Sequence, residues 1–162
     1  MFFSNPVAAM RSMLTALRSG ATMTHIVWRT PNDNPWLSMA KEVALGILPP
    51  PGDDARTCGP GPFSMVNQEM ATGMMKSAGY ENIEFERVDA PILVGHSVQD
   101  AIDFQLAIGP AGEVFREAGG EAEEKRKEIE ASLAEPIGRE KKEADGIVMD
   151  SSSWVISATN LG

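Results

Sequence analysis

The chain has one cysteine, Cys58, in 162 residues. No internal disulfide can form, and no thiolate cluster can hold a metal. Histidine is almost as scarce. His25 and His96 are the only two, too few for a multi-histidine metal site. Basic residues are in deficit, with 14 Lys and Arg against 23 Asp and Glu and a net charge of −9. Nucleic-acid affinity rests on clustered Lys and Arg, so the charge argues against nucleic acid as a partner and against an anionic membrane surface. Long apolar runs are missing too: none approaches the ~20 residues of a membrane span. The N-terminal stretch carries Arg11 and Arg18 among periodic apolar residues, whereas a secretory signal needs a solid apolar block. The expected compartment is the cytoplasm.

What is present suits a globular protein. Hydrophobic residues make up 43% and charged residues 23%, and the length fits one domain, 1–162, around one sizeable core. Val7, Met10, Leu14 and Leu17 recur at spacings of three and four, which predicts a helix over 6–18 with Pro6 in its first turn and Gly20 as its stop. "TMTHIVW", 22–28, suits a pleated strand. A helix follows over 36–48. The Pro/Gly-rich stretch 49–62 reads as a surface loop or lid. A second helix is expected over 67–78, then a strand over 82–88 with Ile83, Phe85 and Arg87 on one face. Ser97-Val98-Gln99-Asp100 resembles a capping box and opens a helix with Val98, Ala101, Ile102 and Leu106 as its stripe. "AGEVFREA" is another helix. In "EAEEKRKEIEASLAE" the apolar positions Ala122, Ile129 and Leu133 are sparse, and acid–base neighbours four apart fill the rest. That pattern predicts a solvated outer helix. The last segment, "GIVMDSSSWVISATN", reads as a hairpin or as a strand with a break, with Trp154 and Ile156 on one face.

Single residues point to chemistry only weakly. His25 shares a strand face with Val27, which fits a structural role. His96 precedes a helix cap, and histidine is the side chain that most often serves as a general base. Cys58 is a lone thiol, and Asp53 and Asp54 adjoin no further metal ligand. The ten methionines suit an adaptable apolar pocket, although those on helices and strands are expected to fill the core. No nucleophile–base pair stands out, which leaves hydrolase, nuclease and redox readings without support.

The order of the motifs resembles a known family. "MFFSNPVAAMRSMLTALRSGATMTHIVWR" is similar to the second half of small-molecule S-adenosylmethionine-dependent methyltransferases of the seven-stranded Rossmann-like class, ubiquinone/menaquinone-biosynthesis branch. Further matches follow in order: Asn34-Pro35-Trp36, Gly61-Pro62-Phe63, Ala78-Gly79-Tyr80, Val88-Asp89-Ala90-Pro91, "VQDAIDFQLAIGPAG" and the closing Ser-x-x-Trp-Val-x-x-Ala. The resemblance implies an α/β fold. The expected sheet is small and mixed, with about three strands flanked by about five helices. Its order is the family's five-seven-six: 22–28, 153–159, 82–88.

The family holds its cofactor through an N-terminal half with a Gly-x-Gly-x-Gly turn, and the sequence contains no such segment. "GPGP" at 59–62 is no substitute, because proline offers no backbone N–H. No cofactor is therefore expected for the chain alone; S-adenosylmethionine enters only if a partner completes the site. The resemblance also implies that Phe2, Phe3, Trp28, Arg29, Asn34, Trp36, Phe63 and His96 lie on the substrate side. With 22–28 left as an edge, a homodimer through that strand and helix 6–18 is expected, together with a small apolar ligand. Two readings stay open. One is a non-catalytic homodimeric binding or structural module. The other is half of a split or truncated methyltransferase that supplies a substrate pocket to a partner chain.

Overall fold

A computed structural model describes residues 3–50, 61–143 and 145–162. The chain divides into two compact units. One comprises residues 1–30, 56–89 and 152–162, the other 31–55 and 90–151.

The first unit begins with α1 (Pro6–Thr15). The Asn5 side chain accepts the Ala8 N–H at 3.0 Å, and Pro6 occupies the first turn, where its missing N–H costs nothing. Then come β1 (Thr22–Trp28), α3 (Gln68–Ala78), β2 (Glu81–Asp89) and the last strand, β6 (Ser152–Thr159). The sheet order is β1-β6-β2, and β6 runs antiparallel to both neighbours, so β1 and β2 point the same way. This is the expected five-seven-six order. Alternation puts Met23, His25 and Val27 of β1, Ile156 and Ala158 of β6 and Phe85 of β2 on the face toward the core. There Met10, Ala71, Met75, Ala78 and Tyr80 join them. The Tyr80 hydroxyl donates to the Met10 carbonyl at 3.2 Å, tying the end of α3 to α1. The Arg11 guanidinium donates to the Ser77 carbonyl at 2.7 Å, where the α3 carbonyls lack helical partners. Gly79 closes α3 at φ 107°, a left-handed cap that glycine adopts without strain.

The second unit holds a 3₁₀ turn (Pro31–Asp33), α2 (Pro35–Ile47), β3 (Ile92–Gly95), α4 (Val98–Ala107), α5 (Gly109–Ala118), α6 (Gly120–Gly138), β4 (Lys141–Glu143) and β5 (Gly146–Met149). Its strands form a second antiparallel sheet in the order β3-β5-β4, beyond the single sheet expected. The closing segment is thus a strand with a break: β5 belongs to this sheet and β6 to the other. Ser97 caps α4 by accepting the Asp100 N–H at 3.1 Å, and Ala101, Ile102 and Leu106 are buried as the stripe predicts. α6 buries Ala122, Ile129, Leu133 and Ile137. The rest of α6 carries surface ion pairs such as Arg126 with Glu123 and Glu130, as expected of a solvated helix. No helix among the described residues is long and apolar enough to cross a membrane.

Candidate functional site

The first unit contains an apolar cavity of about 260 Å³ against the inner side of β1. It is lined by Phe3, Pro6, Met10, Met13, His25, Ile26, Val27 and Met65. Each wall has a local cause. The Asn5 cap and Pro6 start α1 where Met10 and Met13, three apart, share the face over β1. Strand parity brings His25 and Val27 to that face. Met65 sits in the turned segment after Gly61, where Ser64 N–H donates to the Gly61 carbonyl at 3.2 Å. Three of the eight described lining residues are methionines, whose unbranched, polarizable side chains adapt to varied apolar shapes.

Among the described residues, His25 is the one titratable side chain in this lining. Burial lowers its pKa below the ordinary 6.5, because a low-dielectric setting disfavours the charged imidazolium. Its Nε2 is buried and has no hydrogen-bond partner among the described residues. Beside the cavity the Arg29 guanidinium lies over the Trp154 ring, 4.3 Å from the centroid. Trp154 meets Phe85 edge-on at 5.9 Å and donates its indole N–H to the Val66 carbonyl at 3.3 Å. At the end of β2 the Asp89 carboxyl is held below the usual carboxylate range, first by the hydrogen bond from Arg87 and then by that from Ser152.

A second depression, of about 530 Å³, lies in the other unit and is lined by His96, Ser97, Val98, Lys142, Glu143, Asp145, Gly146 and Ile147. The His96 Nδ1 lies 2.6 Å from the Asp145 carbonyl. A carbonyl only accepts, so Nδ1 is the donor in this bond. Two glycines allow this approach: a Cβ on Gly146 would run into the Gly95 carbonyl, and one on Gly95 into the Ala101 backbone. Lys142 shares this rim with Glu143 and Asp145, so it offers no single-sign field for an anion.

The residues expected on a substrate side are not gathered into one described pocket. Phe3 lines the apolar cavity. Trp28 has the opposite parity to His25 and faces the other side of the sheet. Arg29 sits on Trp154. Phe63 is half-buried in the turn before Met65. In the other unit Asn34 is fully buried, its side-chain oxygen accepting from the Ser151 hydroxyl at 3.2 Å. Trp36 is buried there too and stacks on Phe104 at 6.0 Å. His96 lines the second depression. Phe2, Cys58, Asp53 and Asp54 lie outside the described residues, as does most of 49–62. Among the described residues no group of three or more His, Cys, Asp or Glu is placed to hold a metal. The sequence named Met10 and Val27 only as apolar-face residues and did not single out Met13 or Met65. The signal that pointed toward them was the abundance of methionine.

No protein-family model and no curated protein matches the chain. Among solved structures, the chain is similar to a crystal structure from Bacillus halodurans titled a "putative methyltransferase". The TM-score is 0.47 and the sequence identity 13%. The match covers 99% of this chain and 60% of that one, so the chain spans less than two thirds of its neighbour's length. Similarity at this level says nothing about activity.

Proposed function

We propose that the chain is a small-molecule-binding module that works as a homodimer and performs no methyl transfer by itself. One observation carries this reading: an apolar, methionine-rich cavity opens beside a sheet edge that no described strand covers. Its volume of about 260 Å³ falls just below the roughly 300–1,000 Å³ of drug-sized sites. The ligand class is therefore a compact, uncharged, largely apolar molecule about the size of a single ring. A second copy laid along β1 would extend the sheet and bury Ile26, which is 70% exposed.

Light scattering on a sizing column tests the assembly. The expected mass is twice the 17.4 kDa of one chain, and Ile26→Lys is expected to return it to one chain with an unchanged circular-dichroism spectrum. A stable monomer overturns the dimer. An apolar fluorophore tests the cavity: the chain is expected to bind it, and Met13→Trp, which fills the space, is expected to abolish binding.

A second reading, half of a divided methyltransferase, is supported by the family-like motifs from Trp28-Arg29 to Ser-x-x-Trp-Val. On that reading S-adenosylmethionine binds only when a partner chain with a glycine-rich turn is added, and equilibrium dialysis with and without such a chain separates the two.

A further inference from the structure

The apolar cavity has one described wall residue that can gain a charge. His25 lines it, and the other described lining residues carry no ionisable side chain. On the inward face of the sheet His25 stands opposite Ile156 of β6, which is fully buried. Its Nε2 is buried without a hydrogen-bond partner among the described residues. A neutral nitrogen can be left so at a modest cost. An imidazolium cannot, because an unpaired charge in apolar surroundings costs far more than an unpaired neutral polar atom.

Among the described residues nothing around the ring balances such a charge. α1 brings one charged side chain, Arg11, whose guanidinium donates to the Ser77 carbonyl. β6 and residues 61–67 bring none. Glu69 and Lys76 of α3 are exposed. On β2, Glu84 and Glu86 pair with Ser157 and Val155 and so lie on the other face of the sheet. Asp89 is on the inward face but is held by Arg87 and Ser152, and Arg29 lies over Trp154. Tyr80 donates its hydroxyl to the Met10 carbonyl, and burial raises its pKa, so it stays neutral. The amino terminus acts on His25 with the same positive sign. A proton on His25 therefore needs water, and the cavity of about 260 Å³ is the described space beside it. An apolar molecule that fills the cavity takes that space away.

We propose that the cavity holds its apolar ligand only while His25 is neutral, so that a proton on His25 and a ligand in the cavity exclude one another. The proposal rests on the cavity reading above and adds its regulation. Linkage fixes the direction: the ligand lowers the His25 titration further below its place in the empty protein, and affinity falls as the pH drops through that place. The test uses 4-fluorotoluene, which is uncharged at every pH, followed by its ¹⁹F signal. The His25 ring is followed by its carbon-bound proton shifts, assigned by comparison with His96→Gln. The probe is expected to bind at pH 7.5. Saturating probe is expected to lower the His25 midpoint by about one pH unit, which corresponds to about tenfold weaker binding to the protonated form. A midpoint that the probe leaves in place overturns the exclusion while the cavity reading stands. A ring that stays neutral until the chain unfolds overturns it too. No binding at pH 7.5 overturns the cavity reading and the exclusion with it. His25→Phe, which has no proton to gain, is expected to bind the probe equally from pH 7.5 to pH 5. An affinity that still falls in this variant overturns the role of His25. The midpoint shift in the parent decides the matter even if His25→Phe does not fold.

Discussion

At the scale of single residues, His25 makes the stability of the chain depend on pH near neutrality. Its folded-state pKa is lowered by burial, while the unfolded imidazole keeps its ordinary value of about 6.5. Below that value the unfolded chain binds a proton that the folded chain resists. Stability is therefore complete above about pH 6.5 and falls as the pH drops through that value toward the lowered one. Urea midpoints measured from pH 7.5 down to pH 5 are expected to show this fall in the parent, and His25→Val to lose that part of the slope. The placement of His25 beside Val27 on an inward face was legible, because strand parity needs only the sequence. Its missing partner was not, since satisfaction of a nitrogen depends on every chain segment around it. The same limit applies to Asn34 and Trp36. Their position after a strand matched a family motif, but burial against Ser151 and Phe104 comes from residues far along the chain.

At the scale of elements, two glycines with similar local sequence signals have opposite roles. Gly46 lies within α2, and a Cβ there would meet nothing within 4 Å. Gly46→Ala is expected to stabilise the chain by about 0.5–1 kcal/mol, the usual gain from relieving glycine's unfolded-state entropy in a helix. Gly95 ends β3 where the first turns of α4 cross it, and a Cβ there would press on Ala101 N and, at 2.8 Å, Ala101 Cα. Backbone cannot rotate aside, so Gly95→Ala is expected to cost about 1–3 kcal/mol. Denaturant midpoints of the two variants check both signs. Caps and stripes made most elements readable: Asn5, Asn67 and Ser97 each accept an N–H from the first turn of their helix. β1 falls on the residues its composition marked. The small second sheet was not readable, since its strands have four, three and four residues. That is too short for alternation to stand out from chance. The apolar cavity was hidden for a related reason: its walls come from a helix, a strand and a turn whose meeting is a tertiary event.

At the scale of the whole molecule, the proposed dimer through β1 would link stability to concentration. Association stabilises whatever binds only when folded, so the Tm is expected to rise with protein concentration in the parent and to stay flat in Ile26→Lys. Differential scanning fluorimetry over about a hundredfold range distinguishes the two. The placing of β6 between β1 and β2 also bears on how the chain is made. As the protein emerges during synthesis, β1 and β2 both appear early, yet neither has a described strand to pair with until Ser152–Thr159 arrives. The elements between, from β3 to β5, draw on nearer neighbours in sequence and are free to fold first. Until β6 is made, the β1 segment has no described strand to pair with. Its neutral, β-forming sequence is the kind of exposed strand that pairs readily with its own copies.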